Sequence, residues 1–117
     1  MKVAVIGSRS ASKSALPLLL KYIPADTSEI VSGGAKGVDT MAEEVAKALS
    51  LPVRVFEPDY ETFGKNAPLK RNEQIVEYAD YILAFWDVES HGTGYTVAEC
   101  IKRGKPFRIV PLPEESE

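Results

Sequence analysis

A three-layer, doubly wound α/β sandwich is the fold class this sequence predicts, on three observations. Short apolar runs alternate with amphipathic stretches along the chain, no Asn-Gly or Asp-Gly hairpin signal separates the runs, and Gly/Ser-rich breaks follow several of them. The breaks are Gly7-Ser8-Arg9, Ser32-Gly33-Gly34-Ala35-Lys36-Gly37 and His91-Gly92-Thr93-Gly94-Tyr95-Thr96. Such alternation calls for right-handed parallel crossovers. The expected sheet has five parallel strands in the order 3-2-1-4-5, reversing direction between the first and fourth.

The elements follow in order. Residues 3–6 form a buried strand, and 11–22 a helix that starts near Ser14, which keeps Pro17 in its first turn. The second strand is 29–32. From Val38 the apolar positions are Val38, Met41, Ala42, Val45, Ala46 and Leu49, with Asp39, Glu43, Glu44 and Lys47 opposite, the clearest helical spacing in the chain. Residues 52–56 supply a third strand, and 57–68, with Pro58, Gly64 and Pro68, a long connection. A helix over 69–79 precedes the fourth strand, 81–86. A last helix over 95–103 ends on a left-handed Gly104, before a fifth strand at 106–110. Residues 1–111 make one domain and 112–117 a flexible acidic tail.

Fourteen basic against seventeen acidic residues give a net charge of −3, so nucleic acid is expected to be an unlikely partner. A lone cysteine and a lone histidine leave no disulfide and no Cys/His metal cluster, and no cofactor or metal is expected. With no signal-peptide core and no apolar stretch of spanning length, the expectation is a cytoplasmic protein that does not partner a membrane.

All three breaks follow strands and should meet at the carboxyl edge of the sheet, where ligands bind at a strand-order reversal. Backbone N–H groups gathered there favour an anion, phosphate above all. Gly7, Ser8 and Arg9 stand where a phosphate turn belongs, although neither GxGxxG nor GxxxxGK[ST] occurs. Gly33 and Gly34 let backbone approach a ligand, while Asp39 either caps the next helix or binds a ribose hydroxyl. Trp86 either stacks on a base or packs under a loop, and Asp87 can accept from sugar hydroxyls. Gly92, Thr93, Gly94, Tyr95 and Thr96 lead into the last helix, where Glu99 is either a site carboxylate or the partner of Thr96 in a capping box. Arg71 and Asn72 begin the preceding helix and reach the same edge, with Lys65 and Lys70 near them. His91 reads as a loop residue, and Cys100, in step with Val97 and Ile101, as core.

Taken together, Val31 to Thr40, Phe63-Gly64-Lys65-Asn66-Ala67, Arg71-Asn72, Ala79-Asp80, Ala84-Phe85-Trp86-Asp87 and Ser90-His91-Gly92-Thr93 resemble the YspA-like branch of the SLOG superfamily. That superfamily also holds the Lonely Guy phosphoribohydrolases and the DNA-processing protein A family. The resemblance implies a Rossmann-like fold that binds a nucleotide or nucleotide-derived small molecule, as a sensory or ligand-binding domain. It also implies an alternative: N-glycosidic hydrolysis or transfer on nucleoside monophosphates, with Glu99 as the carboxylate and Arg71 on the phosphate. Arg71 stands nine residues before Asp80, and Thr96-Val97-Ala98-Glu99 keeps a Thr-x-x-Glu segment, both as in the Lonely Guy enzymes, but their Pro-Gly-Gly turn is absent. A third expectation is single-stranded nucleic-acid binding through Arg9, Lys65, Lys70 and Arg71. Related nucleotide enzymes pair subunits, which adds a homodimer through Tyr78, Tyr81 and Phe107 to the expectations.

Overall fold

The computed structural model describes residues 1–8, 13–34, 37–87 and 89–112. Five parallel strands, β1 (Lys2–Gly7), β2 (Glu29–Ser32), β3 (Val53–Val55), β4 (Tyr81–Trp86) and β5 (Phe107–Pro111), lie in the order β3-β2-β1-β4-β5. The predicted architecture and strand order are those observed. Helices α1 (Leu16–Tyr22), α2 (Val38–Ala48), α3 (Tyr60–Phe63), α4 (Ala67–Tyr78) and α5 (His91–Arg103) complete the chain.

Strand alternation sorts the core into two layers. Val3, Val5, Ile30, Leu83 and Phe85 pack with α1 and α2 through Leu19, Val38, Met41 and Val45. Ala4, Ile6, Val31, Ile82 and Ala84 pack with α4 and α5 through Ile75, Val76, Val97 and Cys100. The central pair is β1 with β4, in a register that sets Ile6 beside Ala84 and Gly7 beside Phe85. The apolar spacing of α2 places Val38, Met41, Ala42, Val45 and Ala46 in the interior, whereas Leu49 falls just past the helix and is exposed. Tyr78 and Phe107 pack against the α4/α5 layer and Tyr81 against the α1/α2 layer.

The first helix begins at Leu16, behind a 3-10 turn over Lys13–Ala15, rather than near Ser14, and two further elements differ more from their expected bounds. The connection 57–68 is not irregular throughout: the Asp59 carboxylate caps α3 by accepting from the Thr62 N–H at 3.1 Å, which holds it below the usual carboxylate range, and Gly64–Asn66 adds a 3-10 turn. Pro68 belongs to the first turn of α4, where a missing N–H costs nothing. The larger difference is α5, which starts at His91 rather than Tyr95. Gly92 and Gly94 each weaken a helix by ~1 kcal/mol relative to Ala, yet burial of Thr93 and Thr96 and close packing of Gly94 on the Trp86 ring hold this turn helical. The Thr96–Glu99 capping box is therefore not formed: Thr96 lies in the second turn and its hydroxyl donates to the Gly92 carbonyl at 2.9 Å.

Cys100 is fully buried, and burial pushes its thiol up to about 11. Its reaction with a thiol reagent at pH 8 is expected only once the chain is denatured, whereas rapid labelling of the native protein would contradict this packing. Above the free thiol's ordinary value of ~8.5 the denatured state loses its proton first. Stability contributed by this site therefore declines as pH rises toward 11.

Candidate functional site

At the carboxyl edge, where strand order reverses between β1 and β4, lies a cavity of about 320 Å³. Its floor is Ile6 and Gly7 at the end of β1. One wall is Asp39 of α2, another is Pro68, Leu69, Arg71 and Asn72 in the first half of α4, and the third is Glu89, Ser90 and the opening of α5, His91, Gly92, Thr93 and Thr96.

Arg71 is the most informative of these. It is only 6% exposed, and its guanidinium is fixed by donating through Nη1 to the Gly33 carbonyl and through Nε to Asn72 Oδ1 at 2.9 Å. A charge held this way at a cavity wall attracts anions more strongly than a mobile surface cation, because less of its field is screened. Asn72 faces α5, its Nδ2 lying 3.5 Å from the Gly92 carbonyl.

The first turn of α5 adds to this field. Ser90 has extended backbone at the N-cap, and the Gly94 N–H returns to its carbonyl at 3.2 Å. The amides of His91, Gly92 and Thr93 come before the first intrahelical bond, so they carry the positive end of a thirteen-residue helix dipole. Gly92 leaves this turn open: a Cβ there would meet nothing nearer than Asn72 Nδ2, 3.9 Å away. The cavity is not uniformly positive, since Asp39 and Glu89 bring carboxylates to its wall.

Of the residues singled out in the sequence, the cavity brings together Gly7, Arg71, Asn72, Gly92, Thr93 and Thr96. The others have different work. Ser8 is fully buried and joins three segments: its N–H donates to Phe85 O, its carbonyl accepts from Val38 N, and its hydroxyl accepts from Asp87 N at 3.1 Å. Gly33 commits its carbonyl to Arg71, and the Gly34 amide donates to Ser32 Oγ at 3.1 Å. Among the described residues of the first two breaks, the Ser8 and Gly34 amides have internal partners and are not available to a ligand. Trp86 is half-buried: its Nε1 donates to the Ser90 carbonyl at 3.0 Å and its ring packs on Gly94. The Asp87 carboxylate accepts from the Glu89 and Ser90 amides at 2.9 and 3.1 Å, shaping the turn into α5. Tyr95 donates to Glu73 Oε2 at 2.5 Å, which raises its phenol to about 12 and ties α5 to α4. Glu99 is paired with Arg103 at 3.2 Å and Lys102 at 3.9 Å and does not line the cavity, so Arg71 and Glu99 are not brought together there. Lys65 and Lys70 are exposed outside it. Arg9 lies outside the described residues.

Glu89 and Ser90 are wall residues that sequence reasoning did not place there; Asp39, offered as a helix cap or a ribose-binding group, and His91, read as a loop residue of the last break, also line the wall. Asp39 is not the N-cap of α2; Gly37 is, with φ 76°, and Asp39 turns inward from the first turn. The signal for the others was Ser90 itself, a favoured N-cap residue four positions after the fourth strand.

A doubly wound domain with a cavity at its switch point is the Rossmann-like domain expected of the SLOG superfamily. Residues 1–61 match the family described as DNA recombination-mediator protein A, and the chain belongs to that family. It superposes on DNA processing protein A from Helicobacter pylori with TM-score 0.76 and 23% identity, over 97% of this chain and 66% of that one. It superposes on DNA processing protein A from Streptococcus pneumoniae with TM-score 0.76 and 22% identity, over 97% and 50%. The chain thus spans less than two thirds of either structure, and at these identities the likeness is one of fold. No curated protein sequence matches it.

These findings correct the expectation that nucleic acid is an unlikely partner. The family is named for DNA recombination, and the Helicobacter pylori protein is characterised by its single-stranded DNA binding mode. Net charge does not exclude such a partner, because it averages the whole surface, whereas a buried guanidinium and helix-end amides act locally and the amides contribute nothing to a count of side-chain charges. Among the described residues, no helix is long and apolar enough to cross a membrane.

Proposed function

We propose that this domain binds single-stranded DNA, seating a backbone phosphate in the carboxyl-edge cavity. The observation that carries the reading is Arg71, buried and held at the wall opposite the first turn of α5. Arg71 supplies a fixed charge, the His91 to Thr93 amides supply the dipole end, and Asn72 spans the gap between them. The family and the Helicobacter pylori relative favour a strand over a free nucleotide as the source of that phosphate. Glu99, the carboxylate assigned to N-glycosidic chemistry, is engaged with Arg103 away from the cavity, which weighs against that alternative.

Gly92→Asp tests the site with opposite signs on fold and ligand. A carboxylate in the first turn favours α5 by ~0.3–1 kcal/mol and Asp is a better helix former than Gly, so Tm is expected to hold or rise. The same charge repels phosphate, and affinity for a fluorescent single-stranded oligonucleotide is expected to fall about tenfold. Parent and variant binding the oligonucleotide equally would remove the cavity from the interface.

A further inference from the structure

A second groove, of about 660 Å³, lies on the α4 side of the sheet at its β3 edge, lined by Lys2, Arg54, Phe56, Gln74, Glu77 and Tyr78. We infer that it is a continuation of the nucleic-acid path, where the single strand leaving the cavity lays a base on the Arg54 guanidinium and a phosphate against Lys2 and Arg54. This rests on the function proposed above.

Three features support it. Arg71, Gln74 and Tyr78 recur at helical spacing on one face of α4, so a single helix face leads from the cavity wall to the groove. From Arg71 to Tyr78 this face extends about 10 Å, enough for two or three stacked nucleotides. The groove also has the composition that single strands use. The Arg54 Cζ sits 4.9 Å from both the Phe56 and Tyr78 ring centroids, the two rings meet edge-to-face at 5.4 Å, and Lys2 Nζ lies 4.1 Å over Tyr78. An exposed guanidinium backed by aromatic rings is a flat, preorganised stacking surface for any base.

Charge complementarity points the same way. Among the described residues neither Lys2 nor Arg54 has a carboxylate within ion-pair distance, whereas the nearby carboxylates are engaged. Glu77 lies 3.6 Å from Arg103, Glu29 accepts from the Tyr78 hydroxyl at 2.6 Å, and Asp80 accepts from the Lys2 amide at 2.8 Å. The groove therefore offers an anion two cations outside any ion pair, although, after the hydrogen bond from the Lys2 amide, the Lys2 charge also helps to lower the Asp80 carboxyl.

Binding of a dinucleotide and of an oligonucleotide of about ten nucleotides, measured by fluorescence anisotropy on the full chain, tests the inference. Arg54→Gln is expected to weaken the longer ligand about tenfold and leave the dinucleotide unchanged, and Lys2→Gln to lower the slope of log affinity against log salt by about one. Gly92→Asp should weaken both lengths. Arg54 is exposed on an edge strand, and circular dichroism verifies that the variant retains its fold. Both lengths binding the Arg54→Gln and parent proteins alike, with Gly92→Asp still harmful, overturns the groove and leaves the cavity standing. Equal weakening of both lengths by Arg54→Gln also overturns it. Absence of any binding, or indifference to Gly92→Asp, brings down the proposed function and this inference with it.

Discussion

Replacing Arg71 with Gln is expected to weaken single-stranded DNA binding about thirtyfold, the worth of ~2 kcal/mol in a charge-assisted hydrogen bond. The same substitution is expected to destabilise the fold by ~1–3 kcal/mol, because the Gly33 carbonyl loses its guanidinium donor in a buried setting. Lys at this position should restore part of the affinity but not the stability, since an ammonium cannot serve both the Gly33 carbonyl and Asn72 Oδ1 as the guanidinium does. Lys70→Gln is the natural control: its ammonium is exposed and, among the described residues, its one ion pair is with Glu73, at 3.8 Å. Anisotropy titrations with thermal denaturation of the three variants read both effects. An affinity loss in Arg71→Gln no larger than in Lys70→Gln would mean that the buried guanidinium is structural alone.

The largest effect on folding is expected from Gly7→Ala, at ~3 kcal/mol. A Cβ there would lie 2.2 Å from the Phe85 carbonyl oxygen and 2.8 Å from Val38 Cγ2. The carbonyl belongs to the paired strand and already accepts the Ser8 N–H, so it cannot retreat without opening the β1–β4 pairing. Val38 begins α2 and is fully buried, so yielding on that side would shift the whole helix. Gly7 is thus required by the closeness of approach rather than by any ligand, although it also forms the cavity floor. Urea denaturation measures the loss; a change below ~1 kcal/mol would show that the β1–β4 pair can spread to admit a methyl group.

The fold was legible because its signals are local and redundant. The Val38 to Ala46 spacing, the continuous apolar run of β4 and the absence of hairpin turns each pointed to a parallel α/β sandwich, and register then followed from burial on both faces. The site was less legible. Arg71 and Asn72 could be placed at the carboxyl edge from the position of α4 alone. The break at 91–96 could be placed at that edge too, but its helical turn could not be foreseen, because two glycines in three residues, Gly92 and Gly94, argue against a helix by propensity, and only the contact of Gly94 with Trp86 and the burial of Thr93 outweigh that cost. The fate of backbone amides was equally hidden. Ser8 and Gly34 look like phosphate-turn residues in the sequence, and it takes tertiary structure to reveal that their N–H groups serve Phe85 and Ser32 instead.

The walls of the cavity come from opposite ends of the polypeptide. Among the described residues, the portion that carries the family likeness, residues 1–61, supplies Ile6, Gly7 and Asp39, while Arg71, Asn72 and the α5 turn arrive with the remainder. Forming the cavity therefore requires both sides of the sheet to close on each other, and an occupant lodged between them would act as a clasp across the midline of the molecule.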